Sequence, residues 1–271
     1  MQFWKYQGAG NDFIMVDQRQ SRWLSKDDSD QIGFLCHRRF GIGADGLILL
    51  ESCPGFDFEM VYFNSDGRES TLCGNGGRCI VAFAWHLGIK RDTYRFKAID
   101  GPHEAVLKSS DSPGLEWVEL KMADISHIET MQDASSGQAY GLNTGSPHYI
   151  RFVSGLEKAD MVQEGRTVRY SPRFCEAGIN VNLVQEHPDH LAIRTYERGE
   201  EDETLACGTG VTAAALASFI HRGMPAGPTE IPVQAAGGNL RVRFTAHPDG
   251  SFTDVWLCGP AQRVFSGSID L

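Results

Sequence analysis

Residues Thr71 to Cys79 read TLCGNGGRC, and residues Thr204 to Thr212 read TLACGTGVT. Each stretch sets a cysteine, Cys73 or Cys207, directly before Gly-x-Gly and runs on into a long apolar segment. After Cys73 come Ile80, Val81, Phe83, Ala84 and Trp85; after Cys207 come Val211, Ala213 to Ala217, Phe219 and Ile220. Neither segment leaves a polar face, and a helix that is apolar all round is buried. Gly88 and Gly223 stand where each helix would stop. The cysteines lie 134 residues apart in a chain of 271. The pattern predicts two similar halves, each wrapped around one central helix with a cysteine at its N-terminus.

The surroundings of both helices alternate. Tyr94, Phe96 and Ala98 interleave with Arg95 and Lys97, Val118, Leu120 and Met122 with Glu119 and Lys121, and Leu240, Val242 and Phe244 with Arg241 and Arg243. This period of two marks half-buried strands of antiparallel sheets. Further strands are expected near 3–7, 13–17, 47–51, 58–63, 148–153, 180–185, 190–197 and 252–257. One more helix is expected over 28–39, capped by Ser25, Asp27 or Asp28. The fold class is α+β. SSDSPG, Ser109 to Gly114, is the expected linker. It separates a domain over 1–112 carrying Cys73 from a domain over 113–257 carrying Cys207. The segment 258–271, too short to fold alone, is expected to return to the first domain.

Composition narrows the function classes. Apolar residues make up 41% and charged residues 22%, which is the balance of a globular protein. The formal net charge of −10 argues against a nucleic-acid or anionic-membrane partner, either of which favours a basic patch. The N-terminus MQFWKYQGAGNDF does not read as a signal peptide, and no apolar run approaches the ~20 residues of a membrane span. A cytoplasmic protein is therefore expected. The seven cysteines are irregularly spaced with no C-x-x-C pair, so neither a disulfide framework nor a structural zinc site is expected. Cys36, Cys53, Cys79, Cys175 and Cys258 read as buried packing. Gly41 to Gly46 match G-x-G-x-x-G, but the motif precedes the strand-like LILL and does not open a helix, so it reads as a turn or substrate-side loop.

A lone cysteine before an apolar helix is more often packing than chemistry. Repetition in parallel contexts changes that. A helix N-terminus offers N–H groups without intrahelical partners and a partial positive charge, which stabilise a thiolate and can hold a substrate carboxylate. Two such cysteines facing each other across an interdomain cleft would supply a base on one face of a carbon and an acid on the other, as stereochemical inversion requires. The scheme needs neither metal nor pyridoxal cofactor.

The blocks GAGNDFIMVD, RRFGIGADG, FNSDGRESTLCGNGGRC, TGSPH, GINVN and YERGEEDETLACGTG follow in that order. In these blocks the chain resembles the diaminopimelate epimerase family. The resemblance implies two similar strand barrels, each around a central helix, with the active site in the interdomain cleft. It implies cofactor-independent interconversion of LL- and meso-diaminopimelate for lysine and peptidoglycan precursors. By the same resemblance Cys73 and Cys207 are the acid/base thiols, and His148 and Glu197 tune them, with Glu197 also among the substrate-binding residues. Gly74, Asn75, Gly208 and Thr209 hold the reacting carboxylate. Asn11, Asn64, Asn180 and Arg198 hold the distal amino acid end, where Arg198 can offer a bidentate grip. Two positions depart from some members: Ser146 stands where they have Asn, with a shorter reach to substrate, and Gly46 where they have Gln. A small-molecule substrate is the expected partner; a homodimer is left open. Proline racemase or hydroxyproline epimerase shares the two-thiol logic. A cysteine hydrolase would leave one motif idle, and a non-catalytic amino acid binder would show no exchange at the α-carbon.

Overall fold

The structure, a computed structural model, describes residues 1–108, 114–133 and 137–271. The chain divides into unit 1, Met1–Leu120 with Gly259–Leu271, and unit 2, Lys121–Cys258. Unit 1 runs β1 (Gln2–Gly8), β2 (Asn11–Asp17), α1 (Ser29–Cys36), β3 (Gly46–Glu51), β4 (Phe58–Asn64), β5 (Glu69–Ser70), α2 (Gly74–His86), β6 (Tyr94–Ala98), β7 (Gly101–Lys108) and β8 (Leu115–Lys121). Unit 2 runs β9 (Glu129–Met131), β10 (Ala139–Asn143), β11 (Pro147–Phe152), α3 (Met161–Arg169), β12 (Asn180–Glu186), β13 (Leu191–Glu197), β14 (Asp202–Thr204), α4 (Gly208–His221), β15 (Gly227–Ala235), β16 (Gly238–Ala246) and the start of β17 (Phe252–Ser268). From β1 to β7 and from β10 to β16 the order of elements is the same.

The pairing repeats as well. In unit 1, β2 is parallel to β3 and β4 to β6, with the other neighbours antiparallel; in unit 2, β11 is parallel to β12 and β13 to β15. Phe13 sits opposite Gly46 and Ile48 opposite Tyr62, as His148 sits opposite Asn180 and Asn182 opposite Thr195. In unit 1 the strands β1, β2, β3, β4, β6, β7, β8 and the end of β17 pair in a closed ring. In unit 2 the run goes from β9 through β10–β13, β15 and β16 to β17, and an isolated bridge joins Ile125 to Phe252.

The central helices have the burial that their sequences demand. Gly74 to Ala84 of α2 are all buried, as are Gly208 and Gly210 to Phe219 of α4. Gly88 and Gly223 close the two helices at φ +87° and +60°, the left-handed region that glycine enters at no steric cost. The opposite sheet faces are covered by the smaller helices. Ile32 and Leu35 of α1 pack on Ile14, Val16, Leu47, Leu49, Val61 and Phe63. Met161 of α3 packs with Tyr149, Val181, Leu183 and Tyr196. Strands β2 and β3 are thus apolar on both sides, which is why FIMV and LILL read as continuous runs instead of alternating.

Several expectations need correction. Helix α1 ends at Cys36, short of residue 39, and Asp28 is the cap that forms, accepting from Gln31 N–H at 3.0 Å. The sequence reading missed α3, which Asp160 caps through Gln163 N–H. The expected linker falls outside the described residues except for Gly114, and the compact units divide at Leu120/Lys121, at the last residue of β8, because Leu115 to Leu120 pair with β7 and β17 of unit 1. The other division falls at Cys258/Gly259 within β17, which pairs with β16 up to Cys258 and with β8 from Gly259. Cys36, Cys79 and Cys258 are buried, but Cys53 is half-buried and Cys175 exposed, each in a turn where its thiol points to a nearby proline carbonyl. Among the described residues no helix is long and apolar enough to cross a membrane.

Because Gly210 to Phe219 of α4 are buried on every side, truncation among them leaves a cavity. Leu216→Ala, at a fully buried position, is expected to lose about 2–5 kcal/mol of stability. Ile220→Ala, at 36% exposure, loses less. Urea midpoints of the two variants measure the difference.

Candidate active site

In unit 1, Cys73 ends an extended stretch and caps α2 at φ −85° and ψ 125°, its carbonyl accepting from Gly77 N–H at 2.7 Å. The thiol is half-buried. Gly74 and Asn75 open the helix, both buried. Asn75 donates to Asn11 Oδ1 at 2.5 Å and accepts from the guanidinium of Arg78 at 2.8 Å. Arg78 is fully buried, and it also reaches the Gly74 carbonyl at 3.3 Å. Asn11 in turn donates to Asp45 at 3.2 Å. Next to it, Asp12 takes the guanidinium of Arg38 at 2.7 and 3.0 Å and pairs with Lys5 at 2.7 Å. Burial alone would raise the Asp12 carboxyl, but the hydrogen bonds from Arg38 and Lys5 outweigh it and hold the group well below the usual carboxylate range. Asn11 therefore sits in a charged, hydrogen-bonded network. Asn64 ends β4 opposite Gly46, with an exposed side chain. A Cβ at Gly46 would lie 2.5 Å from the Phe63 carbonyl oxygen and 2.6 Å from the Tyr62 ring. The place of the missing side chain is therefore filled by Tyr62, with its hydroxyl 3.3 Å from that point.

In unit 2, Cys207 caps α4 at φ −105° and ψ 111° and is buried. Its Sγ lies 3.3 Å from Thr209 Oγ1. Thr209 Oγ1 lies 2.9 Å from His148 Nε2 and 3.1 Å from Ser146 Oγ. Ser146 accepts from Asn180 at 3.0 Å, and Asn180 accepts from the Arg198 backbone N–H at 2.8 Å. Glu197 hydrogen-bonds Cys207 and accepts from Thr204 at 2.9 Å. Burial raises the Glu197 carboxyl, and those two hydrogen bonds oppose the rise. Burial, aided by the charge of Arg198, pushes the His148 imidazole down to about 3, so the ring is neutral near pH 7. Arg198 is exposed, its stem passing over Gly178 and its guanidinium donating to the Ala177 carbonyl at 3.0 Å.

The expected site residues thus gather into one group in each unit. Cys73, Gly74, Asn75 and Asn11 meet at the start of α2, with Asn64 across the sheet register. Cys207, Gly208, Thr209, His148, Ser146, Asn180, Glu197 and Arg198 meet at the start of α4. Sequence reasoning passed over Arg78, Tyr62 and Asn182. Arg78 lay inside the quoted motif, where an arginine in an apolar helix is itself a signal. Asn182 lay two residues from Asn180 on a strand, which puts both on one face.

A family model described as diaminopimelate epimerase matches residues 3–128 and 140–264. A diaminopimelate epimerase of Flavobacterium psychrophilum is 45% identical, covering 99% of this chain and 100% of its own. One of Chlorobaculum tepidum is 43% identical, covering 97% and 99%. Among solved structures, a Bacillus anthracis phenazine biosynthesis protein of the PhzF family superposes with a TM-score of 0.74 over 100% of this chain and 99% of its own, at 14% identity, which speaks to the fold alone.

Two outcomes follow from the geometry. Gly46→Gln is expected to cost about 1–3 kcal/mol through its clash with Phe63 and Tyr62, read as a lowered melting temperature. For His148 the unfolded ring titrates near 6.5 and the folded ring near 3. The stability it contributes is present above pH 6.5 and is lost as pH falls toward 3, because only the unfolded chain binds the proton there. Over that interval the wild type should take up about one more proton on unfolding than His148→Phe, measured from the pH dependence of the urea midpoints.

Proposed function

The chain belongs to the diaminopimelate epimerase family, and on that premise we propose that it interconverts LL- and meso-diaminopimelate with two thiols and no cofactor. It is an isomerase of amino-acid biosynthesis; the two-thiol mechanism is the reading that the site supports best. The observation that carries it is the duplicated cysteine cap: Cys73 and Cys207 occupy the same position on corresponding buried helices, each followed by Gly-x-Gly.

In this mechanism one thiolate removes the α-proton. The C–H bond breaks, an S–H bond forms, and the electron pair left on carbon spreads into the carboxylate. The other thiol delivers its proton to the opposite face of the same carbon and becomes the thiolate. The N–H groups at Gly74 and Asn75 and at Gly208 and Thr209 hold the carboxylate where negative charge grows. Glu197, bonded to Cys207, is placed to draw its thiol proton, and its burial-raised carboxyl suits a group that takes and returns protons. Asn11, Asn64, Ser146, Asn180 and Arg198 bind the amino acid groups of the substrate, with Arg198 facing a carboxylate.

The test is proton NMR of LL-diaminopimelate in D₂O with reduced, metal-stripped protein. Loss of the α-proton signal with growth of the meso isomer is expected. Cys73→Ser and Cys207→Ser should each lower kcat by on the order of 10²–10⁴ while leaving the far-ultraviolet spectrum unchanged. Folded, reduced protein that exchanges no proton would sink the substrate assignment, and proline and hydroxyproline would be assayed next.

A further inference from the structure

Asn182 has no place in the mechanism above, yet it is fully buried beside the residues that serve Cys207. Its Nδ2 lies 3.1 Å from the Tyr149 carbonyl oxygen and 3.1 Å from His148 Nδ1, and its Oδ1 accepts from Thr195 Oγ1 at 2.9 Å. A carbonyl oxygen only accepts, so the amide atom facing Tyr149 is the NH₂ group. Its second N–H has His148 Nδ1 at 3.1 Å and the Asn180 carbonyl at 3.5 Å; an Nδ1–H facing the NH₂ group at the shorter distance would set donor against donor, so Nδ1 must be bare. A neutral imidazole with a bare Nδ1 carries its proton on Nε2. The proton points to the hydroxyls of Thr209 and Ser146, at 2.9 and 3.0 Å.

The direction then propagates. Nε2–H leaves no lone pair for Ser146, whose oxygen already accepts from Asn180. The Ser146 proton therefore turns to Thr209 Oγ1, 3.1 Å away. With donors arriving from His148 and Ser146, the single proton of Thr209 is left for Cys207 Sγ at 3.3 Å. A hydroxyl that donates to sulfur favours the thiolate.

Unit 1 provides the control. The first helical turn packs on the same two strand positions in both units. A Cβ on Gly76 would lie 3.0 Å from Ile48 Cδ1 and 3.6 Å from Phe13 Cε1, and one on Gly210 would lie 2.5 Å from Asn182 Oδ1 and 3.3 Å from His148 Cε1. The fold is content with hydrocarbon at these places. Polar groups there must each be satisfied or cost free energy, so packing does not account for Asn182, His148 and Thr195 together.

We propose that Asn182 is a positioning residue, fixing the Nε2–H tautomer of His148 so that Thr209 donates its proton to Cys207. The inference rests on the epimerase reading only for its kinetic consequence. In protein with ¹⁵N-labelled histidine, the His148 ring, assigned by its absence in His148→Phe, should show a protonated Nε2 and a bare Nδ1. A protonated Nδ1 would overturn the proposal without any variant. Asn182→Asp puts an acceptor against Nδ1 and should reverse the tautomer. Alkylation of Cys207 by iodoacetamide, followed by peptide mass spectrometry, should slow by about tenfold, and kcat should fall on the order of 10–100-fold with KM within about twofold. Asn182→Ile, which copies unit 1, should keep the fold and lose the same reactivity. Unchanged alkylation and kcat in both variants would refute the role. Wild-type protein with the expected tautomer and alkylation rates but no epimerisation would instead refute the function and leave this hydrogen-bond chain standing.

Discussion

A helix without a polar face cannot rest on a surface, and this constraint organises each unit. Strands must enclose α2 and α4, and the helices then stand as fixed posts whose N-termini end among strand residues. A cysteine at the cap inherits that fixity. Its sulfur is held by backbone that is buried within one residue, at Gly74 or Gly208, and it sits where the helix presents N–H groups and partial positive charge. The glycines serve the same end. Gly76 and Gly210 let the first turn lie against the sheet so closely that a methyl group would be crowded by the strand side chains.

The small helices complete the support. By covering the other face of β2–β4 and β11–β13, α1 and α3 leave the strands little freedom, and residues at the strand ends keep their register. Asn11 shows how much is invested in one side chain. Its neighbour Asp12 is locked by Lys5 and Arg38, its own amide is bonded to Asp45, and its oxygen receives Asn75. Layered support of this kind holds a side chain within a few tenths of an ångström, which the binding role proposed for Asn11 requires.

Much of this was legible in the sequence because the deciding signals are local and strong. All-round apolarity marked α2 and α4, glycine marked their ends, and alternation marked strands such as Tyr94–Ala98. What escaped had weaker local signals. Helix α3 is short and polar, with Gly165 in its middle, and only the duplication could have revealed it, since α1 occupies the same place between β2 and β3. The burial of Cys175 was misjudged because residue type says nothing about a turn. Most of the site residues were reached through their blocks and not through chemistry: His148 is one histidine among nine, and nothing in its neighbours shows that it is buried. Asn182 lay in a quoted block and was still passed over, because the meaning of a buried amide depends on what it faces.

The two copies have diverged where it matters for acid/base chemistry. A reaction that passes a proton from one thiol to the other runs well in both directions only if neither thiolate is too stable, since a thiolate with too low a pKa is a weak base. At the start of α2 the support is a permanent cation, Arg78, which donates to the Asn75 side chain and the Gly74 carbonyl. Around Cys207 the hydrogen-bonded side chains Thr209, His148, Ser146 and Asn180 are neutral, and Arg198 joins them through its backbone N–H. Burial keeps His148 neutral, so under the proposed mechanism Thr209 passes on the pull of a dipole and not of a charge, while Glu197 takes the proton. An imidazolium in that place would trap Cys207 as thiolate and stall one direction of the reaction. Under the proposed mechanism, the polar cluster that replaces Phe13 and Ile48 in the second unit is therefore a moderating device: it supports the thiolate without fixing it.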